Sequence, residues 1–345
     1  MRPLAKSALT LASVLAGLAV FFVIRHAMVQ GFFTGVSPLS PGVCTAVANG
    51  LAGPEDFEID AAHNAIFVSA SNRTGATPNS APKDGLYLLK LNAPSAPPVK
   101  LAGTPADFHP HGISLYRAPD GALTLMAINH RANGGQSIEI YDVLFDGETP
   151  RLSQQIATQG GLLVSPNDLA AVAPDKFYAT NDHVTRTKLG RFAEDYLLWP
   201  HADVVVFNGM STRIAVQRMA LPNGILARGK YLYVTIMNER RLMAFSREDF
   251  TGNLTEIGSL SLPARPDNIS ADAQGNLIIA GQAKPGSAQV FRVKLGADGV
   301  PLSYDMLFSD DGTRLNGASV AAIQGGHLFI GSARDSKMLD CQIQK

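Results

Sequence analysis

Short apolar runs broken by polar turns succeed one another along almost the whole chain. Phe57-Glu58-Ile59-Asp60 gives way at Ala61-Ala62-His63-Asn64 to Ala65-Ile66-Phe67-Val68-Ser69. The same run, turn and run recur at Ile113–Tyr116 and Leu123–Ile128 about Pro119-Asp120-Gly121, and at Leu169–Val172 and Phe177–Thr180 about Pro174-Asp175. They recur again at Ile225–Ala227 and Tyr231–Val234 about Arg228-Gly229-Lys230, and at Ile269–Ala271 and Leu277–Ala280 about Gln274-Gly275-Asn276. A last instance joins Ser319–Ile323 to His327–Ile330 through Gly325-Gly326. Apolar runs of this length, joined by Gly, Asn and Asp turns, predict β-hairpins. Gly85–Leu89, Ile138–Tyr141, Asp203–Phe207 and Val290–Val293 supply further strands between the hairpins.

A common motif precedes each hairpin. It begins at Pro54, Pro110, Pro166 and Pro222, a constant interval of 56 residues, then at Pro266 after 44 and at Leu315 after 49. About four strands per repeat, six times over, predict an all-β fold, a six-bladed β-propeller. The repeats run almost to the C-terminus, so residues 31–345 are read as one domain. Asp182–Pro200, with Tyr196, Leu197, Leu198 and Trp199, is the one long departure from the repeat. It is a lid, a short amphipathic helix or an ordinary surface excursion.

Residues 1–30 differ in kind. Ser7 to Ile24 contains no charged residue and follows Arg2 and Lys6. A helix of this length reaches roughly 27 Å, close to the hydrocarbon thickness of a membrane. The segment is read as an uncleaved N-terminal hydrophobic anchor helix, with the body exported and the membrane as a partner; cleavage as a signal peptide is the alternative. Lys+Arg and Asp+Glu balance at 29 each, which gives no basic surplus for nucleic acid. The two cysteines, Cys44 and Cys341, bracket the repeats; in an exported chain they can pair, the alternative being two separate buried thiols. Asn72-Arg73-Thr74 and Asn253-Leu254-Thr255 fit a glycosylation pattern, which is taken as chance.

Chemistry enters through the residue after each motif proline: Glu55, His111, Asn167, Asn223, Asp267 and, in the sixth copy, Asn316. In a propeller, equivalent positions of the innermost strands face one another across the central channel. Two carboxylates among amides at one level are costly without a cation. Carboxylate and amide oxygens without cysteine form a hard-cation set, suited to Ca²⁺. Asn268 can add an oxygen to that ion, while Asp56 and Asp168 point to a second ion deeper in the channel. A ring of hydrogen bonds with water in the channel is the bland alternative. His111, at the ring position of the second blade, and His130 are candidates for accepting a proton from water, against ordinary structural roles. There is no Gly-x-Ser-x-Gly elbow and no phosphate-binding glycine loop.

At Gly53-Pro54-Glu55-Asp56-Phe57-Glu58-Ile59, His111-Gly112-Ile113-Ser114, Tyr178-Ala179-Thr180-Asn181-Asp182-His183 and Asp267-Asn268-Ile269-Ser270, the chain resembles the paraoxonase/arylesterase family of calcium-dependent six-bladed propellers. The likeness extends from Cys44 to Cys341 and includes that terminal cysteine pair. It implies a catalytic calcium held by Glu55, Asn167, Asn223, Asp267 and Asn268, and a structural calcium held by Asp56, Asp168 and the backbone carbonyl of Ile113. It implies His111 as proton acceptor assisted by His130, an uncleaved hydrophobic N-terminus, and a small-molecule lactone or aryl ester as substrate. The Asp182–Pro200 segment departs from the family, so substrate preference does not transfer. A gluconolactonase-like sugar lactonase with a single divalent ion, and a non-catalytic membrane-anchored binding propeller, are the alternatives.

Overall fold

A computed structural model of the chain describes residues 2–73, 84–249 and 251–344, with side chains from Thr10 onward. Thr74, part of the first glycosylation-type tripeptide, lies outside the described residues. The strands form six four-stranded antiparallel sheets, the blades of a propeller. Five blades are built from consecutive strands, and their innermost members are Pro54–Asp60, Pro110–Arg117, Pro166–Ala173, Pro222–Arg228 and Arg265–Ala271. Blade six takes three strands from the C-terminal end, beginning with Ala318–Gln324, and its outermost strand, Cys44–Val47, from the N-terminal side. Cys44 lies directly opposite Cys341 in that pair, and a disulfide joins them.

The core is divided among the six interfaces between blades. Phe57, Val68 and Tyr87 of blade one meet Val47, Val320, Phe329 and Met338 of blade six where the two blades join. Phe67 and Leu86 meet Leu125 and Tyr141 between blades one and two, and comparable clusters fill the other four joints. Strands sandwiched between two neighbours bury both faces, which is why the sequence shows continuous apolar runs rather than strict alternation. Each large side chain sealed in these joints contributes about 1.5–3 kcal/mol.

The polar motif belongs to the innermost strands themselves rather than preceding them. Every innermost strand opens with a register shift, between Pro54 and Asp56, Pro110 and Ile113, Pro166 and Leu169, Pro222 and Ile225, Pro266 and Ile269, and Ala318 and Val320. A regular strand sends consecutive side chains to opposite faces, whereas a bulge re-aims one of them. The bulge therefore lets Glu55 and Asp56, or Asn167 and Asp168, serve the same channel at two depths. By the same register, blade six presents Ser319 rather than Asn316. Asn316 precedes the strand and is exposed, while Ser319 is buried with its hydroxyl donating to the Glu55 carbonyl at 2.6 Å.

Hydroxyls join successive blades at this level. Ser69 donates to the His111 carbonyl, Thr180 to that of Asn223, and Thr235 to that of Asp267. Glycines make the approach tight enough. A Cβ on Gly112 would lie 2.6 Å from the Asp168 Cα, and one on Gly224 would lie 2.4 Å from the Asp267 carbonyl oxygen. Gly112→Ala is expected to cost about 1–3 kcal/mol through overpacking against backbone, read as a lowered melting temperature. An unchanged melting curve would show that the blades have slack there.

Helix α1, Arg2–Gln30, stands apart from the propeller apart from its C-terminal end. The Arg240 guanidinium donates to the Val29 carbonyl at 3.0 Å, capping the helix, and Arg265 donates to the side chain of Gln30. The Asp182–Pro200 segment holds a helix, α2, Lys188–Tyr196, capped by Thr187, whose hydroxyl oxygen accepts from Gly190 N at 3.1 Å. The two helices touch: Arg25 donates to the Leu197 carbonyl at 2.7 Å, and His26 stacks on Tyr196 at 4.6 Å between ring centres. Leu189, Phe192 and Trp199 remain more than half exposed.

Candidate active site

The bulged strand openings gather most of the residues that the sequence pointed to. Glu55, Asp56, Asn167, Asp168, Asn223, Asp267 and Asn268 are all buried at the channel. Asn268 Nδ2 donates to Glu55 Oε1 at 3.1 Å, and Arg73 Nη2 lies 3.8 Å from Glu55 Oε2. One level deeper, Asp56 and Asp168 act as staples between blades. Asp56 accepts from Phe57 N at 2.9 Å and from Ile113 N of blade two at 2.7 Å. Asp168 repeats this with Leu169 N at 2.7 Å and Ile225 N of blade four at 2.8 Å. Ile113 thus sits against Asp56, and both line, with Asp168 and Glu58, a cavity of about 240 Å³ in the deeper half of the channel.

Electrostatics mark this cluster as unfinished by protein alone. Burial, opposed by Arg73 and the Asn268 hydrogen bond, raises the pKa of Glu55 from its ordinary value. Burial and then Asp168 and Glu55 push Asp56 well up; burial and Glu55 act likewise on Asp168 and on Asp267. Glu58, which lies outside the repeated motif position, is driven by burial to about 7. Its signal was the i, i+2 spacing from Asp56, which puts the two on one side of a strand.

Four oxygens decide what fits. Glu55 Oε2, Asn167 Oδ1, Asn223 Oδ1 and Asn268 Oδ1 are buried and accept no hydrogen bond among the described residues. Buried polar atoms without partners are rare, and each costs about 1–3 kcal/mol. These acceptors belong to four different blades and come from the residue types that a hard cation takes as ligands. Among the described residues, no three His, Cys, Asp or Glu side chains form a metal-binding group. A cation at this level must therefore draw on the amide oxygens, and the residues present fit one that does.

The histidines lie at the edge of this cluster. His111 Nδ1 and His130 Nε2 are 2.7 Å apart, and His111 Nε2 is 3.6 Å from Glu55 Oε1. Burial, followed by Arg73 and His130, holds His111 well below the usual imidazole pKa, and burial lowers His130. Both are therefore neutral near pH 7, as a proton acceptor requires. A second histidine system lies beside them. His183 is held between Asp182 and Asp195 of α2 at 2.8 Å each; burial alone would lower its pKa, but the two hydrogen bonds prevail and raise it to about 10. Asp195 could not be read from the sequence because it comes from the segment outside the repeat.

The channel mouth of the six-bladed propeller thus collects buried acids, amide oxygens that accept no hydrogen bond among the described residues, and a histidine pair. The chain belongs to the arylesterase family, whose model matches residues 35–343. It is 28% identical to serum paraoxonase/arylesterase 1 of Rattus norvegicus, covering 87% of this chain and 89% of that protein. It is 27% identical to serum paraoxonase/lactonase 3 of Homo sapiens, over 89% and 91%. Among solved structures, regucalcin of Agrobacterium tumefaciens, described as a calcium-binding protein, shares the fold with a TM-score of 0.52 at 15% identity over 89% and 96% of the two chains. The periplasmic gluconolactonase of Pseudomonas aeruginosa does so with a TM-score of 0.52 at 14% identity over 84% and 85%.

Proposed function

We propose that the protein is a calcium-dependent hydrolase of lactones and aryl esters. The observation that carries the calcium reading is the set of four buried oxygens, from four blades, that accept no hydrogen bond among the described residues. The relatives named for arylesterase and lactonase activity support the reaction class. Glu55, Asn167, Asn223, Asp267 and Asn268 would hold one ion, and Asp56, Asp168 and the Ile113 carbonyl a second. When bound, the first ion would supply Lewis-acid stabilisation of the charge that develops on the substrate carbonyl oxygen.

The chain's own residues do the rest. His111 Nε2 lies 3.6 Å from the Glu55 carboxylate, so a water molecule seated beside both can donate to the ring nitrogen. His111 accepts that proton as the water adds to the carbonyl carbon, and His130, 2.7 Å from its other nitrogen, shares the charge formed on the ring. Arg73 donates to the Pro110 carbonyl at 2.6 Å and stands beside Glu55 as a fixed positive charge.

Chelation tests the reading. Excess chelator is expected to abolish phenyl acetate and lactone hydrolysis and to lower the melting temperature, since a ligand of the folded state alone stabilises it. The chelated protein should also lose stability as pH rises. A carboxylate raised from 4.5 to about 7, as Glu58 is, stabilises the fold fully below 4.5 and progressively less as pH climbs through 7. Melting curves indifferent to chelator would sink the structural ion.

We read α1 as a membrane anchor of an exported protein. Thr10–Gln30 is apolar enough to cross a bilayer, α2 presents exposed apolar side chains beside it, and a disulfide suits an oxidising compartment.

A further inference from the structure

The base described above works only if its lone pair points at the water, and the histidine pair by itself does not decide this. One nitrogen of the 2.7 Å contact must donate and the other accept. If His111 donates from Nδ1, its Nε2 is bare and faces the site. If His130 donates from Nε2, neutral His111 carries its hydrogen on Nε2, towards Glu55, and cannot accept a proton. The two arrangements use the same atoms in the same places.

We propose that Gln136 is the positioning residue that selects the base-competent arrangement. Gln136 lies directly across the hairpin from His130, and its Oε1 hydrogen-bonds His130 Nδ1. The orientation of its amide is fixed independently, because Nε2 of Gln136 donates to the Gly134 carbonyl at 3.3 Å within the same turn. An amide oxygen only accepts, so His130 Nδ1 carries the hydrogen. Neutral His130 then has a bare Nε2, which accepts from His111 Nδ1–H and leaves His111 Nε2 bare at the site. Burial of His130, which lowers its pKa, keeps it in the neutral form for which this logic holds. The reverse arrangement would place two acceptors, His130 Nδ1 and Gln136 Oε1, against each other. Turning the amide over to relieve this would set Gln136 Oε1 against the Gly134 carbonyl. The turn Arg131–Gly135, closed by Gly134 N on the Arg131 carbonyl at 2.9 Å, thus acts on proton transfer from outside the channel.

The catalytic consequence rests on the hydrolase reading; the tautomer does not. Two-bond ¹H–¹⁵N correlation spectra of histidine-labelled full-length protein report which ring nitrogens carry hydrogen without any substrate. The expected spectrum shows His130 and His111 both protonated at Nδ1 and bare at Nε2. In Gln136→Leu the preference should be lost. Its kcat for phenyl acetate should fall about tenfold, less than the 10²–10⁴ that a whole general base contributes. Its KM and melting temperature should hold. Gln136→Glu, whose carboxylate also accepts from Nδ1–H but gives up the bond to Gly134 and favours a charged ring, should keep the Nδ1 hydrogen on His130 and recover turnover over Gln136→Leu only at the alkaline end of the pH profile, where His130 is neutral. A wild-type spectrum with His130 protonated at Nε2 overturns the proposal, as does a leucine variant with unchanged spectrum and kcat. The expected tautomers in a wild type that hydrolyses no ester or lactone would uphold the role of Gln136 and defeat the hydrolase reading instead.

Discussion

His111→Gln is expected to lower kcat for both phenyl acetate and an aliphatic lactone by about 10²–10⁴, the contribution of a positioned general base. Calcium affinity should stay within about threefold. The glutamine amide can still bond His130, so local packing is preserved, but it cannot accept a proton near neutral pH. The nearest proposed ligand, Glu55, is 3.6 Å from the ring and is itself bonded to Asn268, so the ion site should survive the change. Steady-state kinetics on the two substrates, with a calcium titration by calorimetry, separate the two functions. Undiminished turnover of both substrates would remove His111 from the chemistry, and a parallel collapse of calcium binding would make it part of the ion site.

Removing the disulfide should have the largest effect on stability. Cys44 and Cys341 are separated by 297 residues, and closing so long a loop removes on the order of 5 kcal/mol of unfolded-chain entropy. For a chain of this size that corresponds to a fall of about 10 °C in melting temperature. The double variant Cys44→Ser, Cys341→Ser, melted with saturating calcium, checks it directly. A shift of only a degree or two would mean that Cys44–Val47 stays paired to the last blade by its hydrogen bonds and packing alone.

The propeller was legible in the sequence because blades repeat. An interval of 56 residues between Pro54, Pro110, Pro166 and Pro222 leaves little freedom once each unit holds four strands. Glu55, Asn167, Asn223 and Asp267 were legible for the same reason, since repetition converts one sequence position into a ring. The failures have physical causes. The motif points to Asn316 because Asn-Gly follows Leu315 as it follows Pro222, but the strand of blade six starts three residues after Leu315 and Ser319 takes the place. The motif was set ahead of the strands because a bulge breaks the two-residue period that identifies a strand. Gln136 and Asp195 were invisible because they approach the histidines from a facing strand and from α2, contacts that no local pattern encodes.

The way the chain closes its last blade bears on how it would carry a mechanical load. With α1 held in a bilayer, drag on the body would first meet the clasps of Arg25, Arg240 and Arg265 around the end of that helix. Any pull passing beyond them meets the two hydrogen bonds between Leu39 and Ser309 and then Cys44, on the outermost strand, where force could otherwise peel Cys44–Val47 from its neighbour one hydrogen bond at a time. The sulfur bridge hands that tension straight to Cys341. The propeller then hangs from its tether as a covalent hoop, and the five blades between the two cysteines stay out of the line of force.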